Sequence, residues 1–201
     1  MDDKYKIVLT EASKLLKEFG FKKRGNNFLI DRENNIGIIN FQKSQNSNSS
    51  CTIFTINLGV YCTALKVLDP MEIKSKPMIS DCHWKIRIGF LSHHMRDYWW
   101  KVDESTSLND LGTEIALLLK DKAVPEILNH ITDESLMKYW MNGVTDGLSE
   151  QQMDIYLVAM LKEYNNPLLK SKIIEIKGKY KGKPFYNNIK ENFSKLGITY
   201  E

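Results

Sequence analysis

The chain has 201 residues, with 28 Lys and Arg against 25 Asp and Glu, a formal net charge of +3 and 42% hydrophobic residues. At this length one domain is the default and roughly 70% of the unfolded surface can leave water, so a core forms without disulfides or metals, and a disordered or fibrous chain is excluded. The longest purely aliphatic run, Ile115 to Leu119, is five residues where a membrane helix needs about 20.

The start, MDDKYK, lacks the apolar stretch of a secretory signal, so the expected location is the cytoplasm. Cys51, Cys62 and Cys82 form no even set and no C-x-x-C pair, as expected for reduced thiols. Lysine outnumbers arginine 24 to 4, a bias that lowers the weight of any single lysine. The charge is also uneven. Residues 1–161 carry 19 basic and 21 acidic side chains, whereas 162–195 carry nine lysines against three glutamates.

Tyr5, Val8, Leu9, Ala12, Leu15, Leu16 and Phe19 recur at helical spacing, with Gly20 placed as a C-terminal cap, which predicts a helix over 3–19. Strand patterns follow over Asn27–Asp31, Ile36–Lys43, Cys51–Tyr61 and His83–Phe90. A turn is expected at Asn34–Asn35, a polar loop at Ser44–Ser50, and an irregular connection from Thr63 to Asp81 broken by Pro70 and Pro77. Helical spacing returns over 105–121, and Pro125 opens a short helix through Ile131. Ser149 is placed as the N-cap of a helix carrying Met153, Tyr156, Leu157, Met160, Leu161 and Tyr164. A last helix carries Phe185, Ile189, Phe193 and Leu196. A helix, four strands and then helices predict an α+β fold: an antiparallel sheet with helices on one face over 1–125, and a helical, lysine-rich extension over 126–201.

Alternation sorts each strand into two rows. Ile39 and Phe41, then Phe54, Ile56, Leu58 and Val60, then Trp84, Ile86, Ile88 and Phe90 are expected to form the core. The opposite row holds Ile38, Asn40 and Gln42, then Ile53, Thr55 and Asn57, then His83, Lys85 and Arg87. A sheet covered on one side is polar on the other without any function. Asn is nevertheless depleted in strands, and Asn40 and Asn57 beside Gln42 point to a fixed hydrogen-bond network from which Arg87 would pin a carboxylate or phosphate. Asn40, Gln42, Asn57 and Arg87 are therefore the candidate ligand or partner groove. A hydrophobic plug closing the end of the sheet is the favoured reading of Trp99 and Trp100, and a candidate interface anchor is the alternative.

Catalytic and metal chemistry find little support. Cys82, His83, His93 and His94 have neither zinc-like spacing nor a shared strand face, and adjacent Cys82 and His83 do not make an activated nucleophile. GKYKGK at 178–183 lacks the spacing of a phosphate loop, and Asp103–Glu104 reads as a helix cap. No metal or cofactor is implied. The six lysines and Tyr180 within 170–183 would contact phosphates, but a solvated helix end explains them as well, and nucleic acid is the weaker alternative.

Four stretches together resemble a bacterial family catalogued only as domain of unknown function 4304. They are Gly20–Gly25 (GFKKRG) with Phe28, Ile39–Ser44 (INFQKS), Asn57–Tyr61 (NLGVY), and Cys82–Gly89 (CHWKIRIG) with Trp99–Trp100. The resemblance covers residues 4 to 125 and implies a small α+β domain without assigned catalytic residues. The functional expectation is a non-enzymatic module binding a protein partner, in an immunity-like or regulatory role by analogy. The alternative is a binder of, or enzyme on, a small anionic ligand at Arg87, which a deep pocket around Asn57 and Arg87 would favour.

Overall fold

The computed structural model describes residues 2–68 and 76–199, and the chain is α+β. Helix α1 (Asp2–Glu18) turns Tyr5, Val8, Leu9, Ala12 and Leu16 inward. A six-stranded antiparallel sheet follows: β1 (Lys22–Arg24), β2 (Asn27–Arg32), β3 (Asn35–Lys43), β4 (Thr52–Tyr61), β5 (Trp84–Arg87) and β6 (Trp100–Val102). The order is β1-β2-β3-β4-β5, and β6 pairs the first residues of β4 while β5 pairs its last ones. The expected turn sits one residue earlier, where Glu33 and Asn34 take the positive φ of a tight hairpin, and Asn35 is a buried strand residue.

The predicted core row is buried through β3, β4 and Trp84, and it carries an aromatic file: Phe28–Phe41–Phe54–Trp100, with Tyr5 on Phe54. The row ends early on β5. Residues Ile88–Phe90 form a 3-10 turn, so Ile88 stays buried but Phe90 is exposed rather than core. Helix α2 (Leu108–Leu118) passes through a π-helical turn, Leu119–Ala123, into α3 (Val124–His130), so Pro125 lies within a continuous helical path.

The face opposite the core is only half polar. Ile36, Ile38, Tyr61 and Cys82 form a second small core with Leu29 and Ile79, roofed by the end of the 63–81 connection, where Ile79–Asp81 make a 3-10 turn. Ile38, placed by alternation on the open face, is therefore fully buried. Gly59 lies beneath this roof, where a Cβ would come within 2.7 Å of both Cys82 Sγ and Ile79 Cδ1. The 63–81 connection opens with a second 3-10 turn, Thr63–Val67; Pro70 lies outside the described residues.

Beyond residue 130 the chain forms α4 (Asp133–Met141), α5 (Glu150–Glu163), α6 (Leu169–Tyr180) and α7 (Tyr186–Lys195). Ser149 caps α5 with the reciprocal Gln152 contact of a capping box. Helix α5 is buried along most of its length, and Ile176, Tyr180, Ile189 and Phe193 join the same hydrophobic cluster as the sheet. No helix among the described residues is long and apolar enough to cross a membrane.

Candidate functional site

Strand register sets Asn27 opposite Asn40, Asn40 opposite Asn57 and Asn57 opposite Arg87, so one transverse row crosses four strands. The row is joined by side chains. Arg87 Nε donates to Asn57 Oδ1 (3.3 Å), Asn57 Nδ2 donates to Asn40 Oδ1 (3.1 Å) and Gln42 Oε1 (2.9 Å), and Asn40 Nδ2 donates to Asn27 Oδ1 (2.7 Å). Every bond points the same way, from the guanidinium outward, so the cation polarises the whole file of amides. Asn57 is 7% exposed, and both of its amide hydrogens and its carbonyl are engaged.

Arg87 is held from three sides. Asn57 takes Nε, the Asp97 carboxylate takes Nη1, and the guanidinium lies 5.2 Å from the centre of the Trp99 ring. Such a stacked, hydrogen-bonded fork is a role lysine does not fill. Gln42 is exposed. Asn40, Gln42, Asn57, Arg87 and Trp99 are thus brought together, whereas Trp100 is not part of the assembly. It is 3% exposed, opens β6 and donates its indole Nε1 to Glu114 (3.0 Å), so it is a core residue with no surface to offer a partner.

A cleft of about 780 Å³ opens over this floor, within the range of small-molecule sites. Gln42, Asn57 and Arg87 line its base, Ile79 and Ser80 one side, Phe90 and Asp97 another. Thr145, Asp146 and Gly147, from the α4–α5 connection, close it. Those last three are far away in the chain, and alternation on β3 to β5 carries no signal of them.

The remaining candidates are scattered. Cys82 is buried in the second core, where burial first and the Asp81 carboxylate next, against the opposing pull of Lys85, push its thiol well above the usual range. His83 accepts the Cys62 backbone N–H at Nδ1 (2.9 Å) between the rings of Tyr61 and Tyr156. His93 touches His94, which stacks on Tyr98. Among the described residues no three His, Cys, Asp or Glu side chains converge as metal ligands. Of the six lysines in 170–183, Lys172 pairs with Glu175, Lys177 donates to the Thr199 carbonyl, Lys179 binds Glu150 and Asp154, and Lys183 lies over the Tyr180 ring, so four of the six are engaged within the chain.

The family model of a domain of unknown function (DUF4304) matches residues 12–129, more than half of the chain. No curated protein and no solved structure matches it. The matched span contains the whole floor of the cleft, and the 145–147 wall lies outside it.

Proposed function

This chain belongs to the family of domain of unknown function 4304, and we propose that it is a non-enzymatic binding module of the bacterial cytoplasm whose cleft over β3, β4 and β5 takes a small molecule through an anionic group. The observation that carries this reading is the cleft of about 780 Å³ seated on a rigid, one-directional hydrogen-bond file that ends in Arg87. Arg87 is fixed by Asn57, Asp97 and Trp99 before any ligand arrives, which lowers the ordering cost of binding. Its Nη2 and the amide nitrogen of Gln42 make no hydrogen bond among the described residues, so both remain available as donors.

Thermal-shift screening with anionic metabolites, followed by calorimetry on the hits, tests this. Arg87→Ala is expected to weaken a hit by about 1.5–3 kcal/mol, the worth of hydrogen bonds to a charged group, and Arg87→Lys to recover only part of it. A wholly negative screen, or hits indifferent to Arg87→Ala, would remove the small-ligand reading.

A protein partner of immunity-like or regulatory type is the second reading. It draws on Met78 at 60%, Phe90 at 48% and Met95 at 76% exposure, on the segments bordering the cleft. A Met95→Glu variant, altered outside the cleft lining, that loses a neighbouring gene's product in a pull-down while keeping small-molecule binding would favour it.

A further inference from the structure

The cleft carries charges of both signs on different parts of the fold. On the sheet side, Arg87, whose Nη1 is already paired with Asp97, and Gln42 offer free N–H groups, and Lys85 adds a second cation to the lining. On the wall, Asp146 is half-buried, its one hydrogen-bond partner among the described residues is the Tyr139 hydroxyl, a neutral donor, and Lys85, which also lines the cleft, makes no ion pair with it. Taking a carboxylate partly out of water without a cation is unfavourable, and a cation arriving in the cleft removes that cost.

The wall is also built to hold this carboxylate in place. Tyr139 stands edge-on to His130 (4.4 Å between centroids), and His130 stacks flat on the fully buried Trp84 (4.3 Å, 8°), so the group that grips Asp146 is anchored in the core. Gly147 has φ +74°, and a Cβ there would come within 2.7 Å of the Lys85 carbonyl oxygen, so the connection lies directly against β5. The Leu148 N–H bonds the Thr145 carbonyl (3.0 Å) and closes the turn that carries Asp146.

We propose that the cleft takes a zwitterionic small molecule of the amino-acid or short-peptide type, its carboxylate on Arg87 and Gln42 and its ammonium on Asp146. Ile79, Ile86 and Phe90 along the cleft supply apolar contact for a side chain. The sheet within the family-matched span then provides the anion contact, and the C-terminal helical region provides the residue that selects the cation. This rests on the small-ligand reading and adds the second charge to it.

The test uses the full chain and a panel of free amino acids and dipeptides, each beside its N-acetyl form, measured by calorimetry and thermal shift. Acetylation removes the ammonium and keeps the carboxylate. Free forms are expected to bind about tenfold tighter than acetylated ones, about 1.4 kcal/mol, and Asp146→Asn, which still accepts from Tyr139, is expected to erase that preference without lowering the thermal midpoint of the empty protein. If free and acetylated forms bind equally and Asp146→Asn is silent, the zwitterion assignment fails while the small-ligand reading stands. Should no panel member of either form bind, the zwitterion assignment fails outright; if other anions bind at Arg87, the small-ligand reading survives alone. The comparison of free with acetylated forms on the native chain decides the matter even if Asp146→Asn misfolds.

Discussion

Cys62 stands where the end of β4 meets α4 and α5, and its surroundings hold the thiol neutral. Its Sγ donates to the Asp133 carboxylate (3.2 Å), which also accepts from Asn35 (2.6 Å) and Tyr164. Burial first, then the Asp133 charge, push the thiol far above the usual range. The sign of the consequence is fixed. Below about pH 8.5 the thiol is protonated in both folded and unfolded chains, so its full contribution to stability is present. Above that the unfolded chain ionises and the folded one does not, so stability falls with rising pH, by about 1.4 kcal/mol per unit for each such thiol. Cys82, raised chiefly by its own burial, acts the same way. Denaturant midpoints between pH 7.5 and 10 are expected to decline, and Cys62→Ala should remove about half of the slope. A flat profile in the native chain would mean that the thiols ionise as readily folded as unfolded. At this scale the sequence was partly legible: alternation put Asn40, Asn57 and Arg87 on one face, and register then joined them. Asp97, the partner of Arg87, sits in an irregular stretch where no spacing rule assigns a direction.

Among the elements, those with a long repeating apolar pattern were the readable ones. Helix α1 and strands β2, β3 and β4 follow their periods within one or two residues. Strands β1 and β6, of three residues each, are too short to express a period. Helix α4 was missed although it has a local signal, Thr132 as N-cap ahead of Asp133 and Glu134, with Leu136 and Trp140 one turn apart facing inward. Helix α6 reads as lysine-rich surface, yet it docks on α5 through charge as well as burial. Asp154, 3% exposed, accepts from Tyr180 (2.9 Å) and from Lys179, which also pairs with Glu150. Burial pulls the Lys179 ammonium down, but its two carboxylate partners outweigh that and hold it above its ordinary range, while burial and Asp154 push Tyr180 up to about 12. Asp154→Ala is therefore expected to cost about 1–3 kcal/mol, as for a buried group losing charged and neutral partners, since the Lys179 head, 24% exposed, can still reach water. Urea denaturation measures this, and Lys179→Ala should cost less because Tyr180 continues to satisfy Asp154. Equal costs would mean that the ion pair dominates the contact.

At the scale of the molecule, the sheet and the C-terminal helices contribute to one hydrophobic core across the boundary that the sequence pattern sets near residue 125. Asn35 of β3 donates to the Ile131 carbonyl (2.9 Å) and to Asp133, Cys62 bonds Asp133, and the His83 ring packs against Tyr156 of α5 (5.2 Å). Each link crosses from the family-matched span into the region beyond it. Sequence pattern marks where charge and repeat length change, but not which surfaces are complementary. A fragment of residues 1–131 would keep the sheet and lose α4 to α7. It would uncover the end of the sheet around Tyr61, Cys62, Leu65 and Trp84 and remove Asp133, which accepts from both Asn35 and Cys62. Each apolar side chain returned to water costs about 1.5–3 kcal/mol, and half a dozen such losses match the whole stability of an ordinary domain, about 5–15 kcal/mol. The fragment is therefore expected to lack a cooperative thermal transition and to bind a hydrophobic dye, while the full chain unfolds in one step. A dispersed amide NMR spectrum with sharp unfolding in the fragment would mean that the matched span carries its own stability, leaving the extension to furnish only the Thr145–Gly147 wall of the cleft.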